Sequence, residues 1–218
     1  MVRTTRRLQC NMSLYTFIRA ERGDMKQIAE MLSAAFDSKP NQLIKWYSVW
    51  NYEEQLKERL VRLVEMGKDH MMLVASQEKD SVPSPSDDGQ VRHHMCGFIE
   101  LGLLPLPKDK DRASETDDMG DELIEILKTD GRLPTIGNLV VDESWRKKGV
   151  GTAMLEEATR TAREWGYPVV ICAVNPDNKP AVNLYEKNGF RCVFMAKTTV
   201  QINVIRSEQD LKIMVKKV

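Results

Sequence analysis

The sequence predicts an α/β fold in which a mixed β-sheet is flanked by helices in three layers. At 218 residues, 42% of them hydrophobic and 29% charged, the chain has the length and composition of one soluble globular domain. Segments with the period of a strand and segments with the period of a helix follow one another along it. The order is a strand, two helices, a hairpin, two strand–helix units and a terminal pair of strands, which favours a mixed sheet.

The first half of the chain is predicted to contain three strands and two helices. Alternating residues that include leucine, tyrosine, phenylalanine and isoleucine predict a strand over Ser13–Arg19. Apolar residues at helical spacing predict helices over Glu21–Phe36 and Tyr47–Met66. Two short apolar runs, Met71–Ser76 and Met95–Leu104, predict a hairpin with a lengthened connection.

The second half is predicted to alternate between strands and helices before it closes with two strands. In order, these elements are strand Pro134–Val141, helix Val150–Trp165, strand Pro168–Val174, helix Lys179–Asn188, and strands near Arg191–Ala196 and Leu211–Val215. No internal repeat divides the sequence. We therefore expect a single domain over residues 13–218.

Two insertions and a basic tail depart from this pattern. The connection 77–93 has almost no apolar residues, which predicts disorder. The insertion 105–132 begins rich in proline and charge, and its segment Asp121–Lys128 has the spacing of a short helix. Residues 1–12 contain three arginines and no acid, which predicts a disordered basic tail and is equally compatible with the remnant of a transit peptide.

Charge and composition argue against several classes of function. Basic and acidic residues both number 32, so the chain has no basic excess for binding nucleic acid. No apolar stretch approaches 18 residues, so no transmembrane helix and no membrane partner are expected. Four scattered cysteines do not make a disulfide framework, which favours an intracellular location. His93, His94 and Cys96 lack a second ligand cluster at zinc spacing, so no metal is expected.

A basic, glycine-containing segment, Arg146–Thr152, joins a predicted buried strand to a predicted amphipathic helix. We call it the glycine turn. Glycine lets the backbone approach a ligand closely, and the first amides of a helix have no partners within it, so a phosphate group fits there. Three basic side chains would add charge-assisted bonds: Arg146, Lys147 and Lys148. Thr152 after Gly151 excludes a Walker A loop, and Met154 excludes the dinucleotide fingerprint. A tight turn with solvated lysines is the alternative interpretation.

Two motifs together resemble the GNAT superfamily of acetyl-CoA-dependent N-acetyltransferases. The pattern Arg/Gln-x-x-Gly-x-Gly/Ala is matched by Arg146–Gly151. The pattern Asn-x-x-Ala-x-x-Leu-Tyr-x-x-x-Gly-Phe is matched without a gap by Asn178–Phe190. The strong match spans Ile136–Val193, and the order of elements extends it over most of Ser13–Val218. The chain looks most similar to the bacterial and plastid protein N-acetyltransferases of that family.

The resemblance implies a set of residues that bind acetyl-CoA and implies no metal. Backbone groups of three strand residues would align the pantetheine arm, and the glycine turn would hold the pyrophosphate. The implied residues are Leu139, Val140, Val141, Arg146, Lys147, Lys148, Gly149, Val150, Gly151, Thr152, Asn178 and Tyr185. Asn178 also has the position of a helix N-cap, and Tyr185 is alternatively a core aromatic.

The reaction that the resemblance implies is attack of an amine on the acetyl-CoA thioester. A base must first take a proton from the ammonium, and a backbone amide near Val141 would stabilise the oxyanion. Tyr185 would protonate the departing thiolate, because its usual pKa of about 10 lies near that of a thiol. The base is not evident, since Ala173 and the pair Gly137-Asn138 stand where relatives carry a carboxylate. Glu100 is the candidate base, and the apolar run around it is expected to raise its pKa. The alternatives are that Glu100 is a solvent-facing strand residue, and that water relays the proton.

The expected acceptor is a protein N-terminal α-amine or a lysine side chain, as the resemblance implies. Trp46, Tyr47 and Trp50 lie where the family's acceptor site is walled by its first two helices. They either line a peptide groove or belong to the core. A small amine of the polyamine or aminoglycoside type and a non-catalytic CoA-binding regulatory domain are the alternatives. We expect a monomer or homodimer in the cytoplasm or the plastid stroma.

Overall fold

The computed structural model describes residues 6–10, 13–36, 42–66, 70–77, 94–105, 131–202 and 205–218. The strands in these ranges are β1 (Arg6–Cys10), β2 (Ser13–Arg19), β3 (His70–Gln77), β4 (His94–Leu104), β5 (Leu133–Val141), β6 (Val169–Val174), β7 (Arg191–Ile202) and β8 (Ile205–Lys217). The α-helices are α1 (Met25–Phe36), α2 (Gln42–Met66), α3 (Val150–Glu164) and α4 (Lys179–Lys187). Short 3₁₀ turns lie at Arg22–Asp24 and Glu143–Trp145.

The strands form one mixed sheet in the order β1-β2-β3-β4-β5-β6-β8-β7. Strands β5 and β6 are parallel, as expected for two strands joined through a helix, here α3. The pairs β1–β2, β2–β3, β6–β8 and β7–β8 are antiparallel. The predicted α/β fold with a mixed sheet is therefore confirmed, and β3 and β4 are neighbours as the predicted hairpin requires.

The chain divides into two compact units, each formed from two stretches of sequence. The first unit contains Met1–Glu100 and Asn138–Met154, and the second contains Leu101–Gly137 and Leu155–Val218. Strands β4 and β5 and helix α3 each contribute residues to both units. The prediction of a single domain over residues 13–218 stays a prediction.

The core of the first unit lies between its helices and one face of its strands. Met25, Ile28 and Leu32 of α1 are fully buried at helical spacing, because three- and four-residue steps return to the same helix face. Met72 and Val74 of β3 belong to the same cluster, because alternate residues of a strand share a face. The cluster is completed by residues of α2, β2, β4 and β5, including Leu56, Ile18, Phe98 and Val140.

The core of the second unit is built on its central strands. Val169 and Ile171 of β6 and Ile213 and Val215 of β8 are buried in one cluster with Leu133 of β5. The valines and isoleucines are β-branched, and such side chains pack well on the buried face of a sheet. Tyr167, Val193 and Phe194 pack against this cluster with part of their surfaces exposed.

Most predicted elements are confirmed, and the differences have identifiable causes. Strand β2 has the predicted bounds. Helix α2 begins at Gln42, and the prediction placed its start at Tyr47 because exposed aromatic residues near its beginning break the apolar period. The prediction of a disordered tail over residues 1–12 is wrong for Arg6–Cys10, which pairs with β2 from Arg6↔Phe17 to Cys10↔Ser13. This strand is terminal in the sheet order, and such edge positions accept charged residues.

Several predictions fall on residues that the structure does not describe. Residues 78–93 and 106–130 lie outside the described residues, and with them most of both predicted insertions and the predicted helix Asp121–Lys128. Among the described helices, none combines the length and apolar character needed to cross a membrane.

Candidate active site

The glycine turn lies between β5 and α3, and its backbone enters the left-handed region twice. Asp142 begins this connection, because its side chain accepts a 3.0 Å hydrogen bond from the amide of Ser144. Lys147 then has φ of 62° and Gly149 has φ of 85°. Left-handed residues redirect the neighbouring N–H groups, and turns of this kind form the backbone concavities that bind anions. Arg146, before Lys147, is extended with ψ of 151°.

Helix α3 presents its first amides beyond this turn. The hydrogen bond from the amide of Ala153 to the carbonyl of Gly149, at 3.0 Å, is an i→i−4 bond at the start of the helix. The amides of Val150 and Gly151 precede it, and the positive end of the helix dipole lies there. A side chain at Gly149 would project into open space, so the turn has room for a ligand. Phosphate binding at this turn stays a prediction.

The three basic residues of the glycine turn differ in what their side chains contact. The Arg146 Nε donates to the carbonyl oxygen of Val141 at 3.4 Å. The Lys148 Nζ lies 4.6 Å from the ring centroid of Trp145. Lys147 is exposed, as are the other two. Two of the three basic side chains thus contact the protein as well as facing solvent.

Strand β5 leads into the turn and changes direction before it. Its parallel pairing with β6 includes Thr135↔Ile171 and Ile136↔Cys172. Asn138 follows with φ of 51°, an uncommon value for a residue within a strand. The next three residues, Leu139–Val141, are those implied to align the pantetheine arm.

Glycine lets β4 approach this part of β5 closely. A Cβ at Gly97 would lie 2.8 Å from the carbonyl oxygen of Val140 and 2.9 Å from the Sδ of Met154. The amide of Asp142 donates to the carbonyl oxygen of Cys96 at 2.9 Å. Residues 96–97 of β4 therefore hold the end of β5, which carries the candidate cofactor residues Leu139–Val141.

Glu100 of β4 lies at the centre of a buried polar cluster in the first unit. Its Oε2 accepts hydrogen bonds from Arg59 Nη1 of α2, at 2.9 Å, and from Asn138 Nδ2 of β5, at 2.6 Å. Its Oε1 is 2.6 Å from His70 Nε2 of β3, and an ionised carboxylate requires that this nitrogen carries the donated hydrogen. The Glu100 side chain is 8% exposed. We call these four residues the Glu100 cluster.

The expectation that the pKa of Glu100 is raised is wrong. Burial alone would raise it, and burial is the largest single influence. The hydrogen bond with His70, the charges of Arg59 and His70, and the hydrogen bond from Asn138 together outweigh burial and lower the pKa below its usual 4.5. Glu100 is therefore a carboxylate at neutral pH. The alternative of a solvent-facing residue is also wrong, because the side chain is buried.

Sequence reasoning missed Arg59 and His70 as members of this cluster. Arg59 belongs to a charged stretch of α2, and His70 lies at the first position of β3, so neither stands out in the sequence. Asn138 was noted only because it lacks the carboxylate that relatives carry there. A buried glutamate within an apolar strand was the available signal, since such a group requires partners.

Asn178 caps helix α4 in the second unit, as the alternative interpretation predicted. Its side-chain oxygen accepts a 3.2 Å hydrogen bond from the amide of Ala181, and Pro180 occupies the first turn. The residue is exposed. The cap uses the Oδ1 atom, so it is compatible with a cofactor contact through Nδ2.

Tyr185 lies in the core of the second unit. It is 6% exposed, and its ring packs edge-on against Phe190 with centroids 5.3 Å apart. Its hydroxyl is hydrogen-bonded to the thiol of Cys172. Burial, then the charge of Cys172 and this hydrogen bond, raise the pKa of Tyr185 well above 10. The expected match between its pKa and that of a thiol is therefore wrong for the protein without ligand.

The structure places the candidate residues in two groups. The glycine turn, Leu139–Val141 and the Glu100 cluster belong to the first unit, whereas Asn178 and Tyr185 belong to the second. Ala173, where the resemblance implies a glutamate, is an exposed residue of β6. The Cys96 thiol is buried, and burial raises its pKa to about 11, while His93 lies outside the described residues.

Comparison with known proteins gives a match over the middle of the chain. Residues 91–190 match the model of the "Acetyltransferase (GNAT) family", which is just under half of the chain. The chain has a GNAT-like fold. The fold also matches the crystal structure of Arabidopsis thaliana NAA60 in complex with a bisubstrate analogue, with a TM-score of 0.57 and 20% identity over 94% of this chain and 99% of that one.

Two curated relatives match shorter stretches. A Bacillus subtilis protein named as a phosphinothricin acetyltransferase, YwnH, is 40% identical over 53 residues, which are 24% of this chain and 32% of that protein. An N-alpha-acetyltransferase from Sulfurisphaera tokodaii is 37% identical over 67 residues, which are 28% of this chain and 40% of that protein. The matches thus span less than half the length of these relatives.

Proposed function

We propose that this protein is an acetyl-CoA-dependent N-acetyltransferase, an acyltransferase that moves the acetyl group to a primary amine. The proposal rests on the glycine turn. Its left-handed residues and the first amides of α3 would form an anion site at the position of the GNAT acetyl-CoA motif. Residues Lys147–Thr152 hold the pyrophosphate. Arg146 supports the turn through its bond to Val141 and adds positive charge.

The pantetheine arm is proposed to lie along Leu139–Val141. These residues follow Asn138, where the β5 backbone leaves the extended conformation, and the 3₁₀ turn Glu143–Trp145 separates them from the glycine turn. Peptide groups of an extended strand offer a donor and an acceptor at regular intervals, which suits the two amides of pantetheine. Asn178 would donate from its Nδ2 to the same arm.

The chemistry requires one proton to leave the amine and one to reach the thiolate. The amine nitrogen attacks the thioester carbon, the new C–N bond forms, and the C–S bond breaks as CoA departs. We propose that the Glu100 carboxylate accepts the amine proton. Its Oε1 is 2.6 Å from His70 Nε2, which already carries a hydrogen, and its lowered pKa makes it pass the proton on to water. Tyr185 remains the proposed donor to the thiolate, and its raised pKa keeps it protonated.

A protein or peptide is the acceptor that we propose, through its N-terminal α-amine or a lysine side chain. Aromatic residues of α2 support this choice, because they are exposed rather than part of the core. Trp46 is 68% exposed, Trp50 48% and Tyr47 43%, and the rings of Tyr47 and Trp50 lie 5.9 Å apart. Exposed apolar surface of this kind is typical of protein-interaction sites. The Sulfurisphaera tokodaii relative, named an N-alpha-acetyltransferase, agrees with it.

A small-molecule amine is the second candidate acceptor, and the Bacillus subtilis relative named as a phosphinothricin acetyltransferase favours it. We propose an intracellular enzyme of the cytoplasm or plastid stroma, monomeric or homodimeric. Cys96 and Cys172 are buried and form no disulfide in the described residues, which suits a reducing compartment.

Acetyl transfer from isotope-labelled acetyl-CoA to a peptide library and to a panel of small amines tests the proposal. Mass spectrometry would locate the label on α-amines, lysines or small molecules. With a peptide acceptor, Trp50→Ala should raise KM for the peptide and leave KM for acetyl-CoA unchanged. Val61→Ala, at another exposed apolar residue of α2, is the matched control. CoA binding without transfer to any acceptor would contradict the enzymatic proposal.

A further inference from the structure

A buried tyrosine of the first unit reaches the glycine turn from the beginning of the chain. Tyr15 lies in β2 and is 2% exposed. Its hydroxyl donates a hydrogen bond of 2.7 Å to the carbonyl oxygen of Lys148. The two residues are 133 positions apart, so this bond belongs to the tertiary structure and not to the local geometry of the turn.

Trp145 adds a second contact on the same side of the turn. Its ring meets the Tyr15 ring edge to face, with centroids 6.4 Å apart and planes at 80°. The ammonium group of Lys148 lies 4.6 Å from the Trp145 centroid, within cation–π distance. Tyr15 thus holds the backbone of Lys148 while Trp145 contacts its side chain.

The residues on either side of Lys148 have backbone conformations that need such support. Lys147 has φ of 62°, which is unfavourable for a residue with a side chain, and Gly149 has φ of 85°. Conformations of this kind persist only where their surroundings enforce them. The hydrogen bond from Tyr15 fixes the peptide carbonyl between the two left-handed residues.

We infer that Tyr15 is a positioning residue for acetyl-CoA, which holds the glycine turn in its anion-binding conformation before the cofactor arrives. The inference rests on the proposed function. If the bond is removed, the turn occupies the binding conformation for a smaller fraction of the time, and the apparent affinity falls by that fraction. The loss should affect donors that carry a pyrophosphate, because the bond acts on the turn that receives it.

Tyr15→Phe tests the inference, because it keeps the ring against Trp145 and removes only the hydroxyl. Calorimetry should show a three- to tenfold rise in Kd for CoA, the effect of about one hydrogen bond. KM for acetyl-CoA should rise equally, while kcat at saturation stays unchanged. S-acetylpantetheine, which has the thioester and no pyrophosphate, should be used as well by the variant as by the wild type. Tyr167→Phe, at a half-buried tyrosine of the second unit, is the control and should leave Kd for CoA unchanged.

Two results would overturn the inference, and they differ from failure of the proposed function. An unchanged Kd for CoA in folded Tyr15→Phe would mean that the turn is held without this bond. An equal loss with acetyl-CoA and S-acetylpantetheine would mean that Tyr15 acts on the whole unit. Absence of CoA binding to the wild type would instead remove the proposed function and the inference with it. If Tyr15→Phe does not fold, Trp145→Leu provides the same comparison of the two donors.

Discussion

Replacement of Glu100 by glutamine tests the Glu100 cluster directly. Glutamine keeps the size of the side chain and removes the charge, and its amide nitrogen must then face a donor. Either it meets Arg59 and Asn138, which both donate to Oε2, or it meets His70 at Oε1. In the first orientation two donors lose their acceptor. In the second, His70 must change to the tautomer whose Nε2 accepts, and the bonds from Arg59 and Asn138 then meet a neutral oxygen in place of a charged one.

The structure sets the size of the expected effect. Hydrogen bonds to a charged group contribute about 1.5–3 kcal/mol each, and a buried polar group without a partner costs about 1–3 kcal/mol. Arg59 is 32% exposed, so water replaces part of its bond, whereas Glu100 is 8% exposed. We expect Glu100→Gln to lower the free energy of unfolding by about 2–3 kcal/mol at pH 7. Glu54→Gln, in an exposed ion pair of the same unit, should cost less than about 0.5 kcal/mol.

The pH dependence of this difference has a defined sign. The pKa of Glu100 is lower in the folded protein than its usual 4.5, so its ionised form stabilises the fold. This stabilisation is complete above about pH 4.5 and is lost as the pH falls through the folded-state pKa. Denaturant titrations of wild type and Glu100→Gln at pH 7 and at several values below 4.5 measure it. A difference that is absent at pH 7, or that grows on acidification, would refute the description of the cluster.

Three further predictions concern the cofactor and its strand. Gly149→Val should weaken acetyl-CoA binding at least about tenfold in a folded protein, because φ of 85° disfavours a β-branched residue and its side chain would enter the ligand's space; calorimetry measures this. Tyr185→Phe should lower kcat by about 10²-fold with little change in KM for acetyl-CoA, near the lower limit for proton transfer because the raised pKa weakens the acid; an unchanged kcat would leave Tyr185 a packing residue. Gly97→Ala should lower the free energy of unfolding by about 1–3 kcal/mol and raise KM for acetyl-CoA, because its Cβ would lie 2.8 Å from the carbonyl oxygen of Val140. Gly23→Ala is the control: Gly23 has open space around it, so denaturation should show no measurable loss.

The fold could be predicted from the sequence because periodicity reports burial. Val169–Val174 is a short, mostly β-branched run, and its length and composition favour a largely buried strand over a helix. Residues Arg6–Cys10 could not be recognised in the same way, since an edge strand needs neither strict alternation nor a lack of charge. The early part of α2 was missed for a related reason, because its exposed tryptophans do not follow the apolar face of the helix.

The candidate site divides into a predictable part and an unpredictable part. The glycine turn and Asn178 are contiguous motifs, so their local geometry follows from local sequence. The partners of Glu100 come from three other elements, and the partner of Lys148 lies in β2, so only the tertiary structure brings them together. Such partners decide whether the pKa of a buried group is raised or lowered. The sequence therefore predicted a raised pKa for Glu100, whereas the structure gives a lowered one.

The arrangement of Glu100 and Asn138 bears on whether catalysis has been lost. Gly137 and Asn138 stand where the resemblance implies a carboxylate before the glycine turn, and its lack alone favours a non-catalytic CoA-binding domain. Asn138 Nδ2, however, donates to Glu100 Oε2 at 2.6 Å, so an ionised carboxylate from β4 lies one hydrogen bond from that position of β5. The lack of a carboxylate at position 138 is therefore no argument for lost catalysis, because the carboxylate of Glu100 lies beside that position. Glu100 with His70 is the place to measure proton transfer.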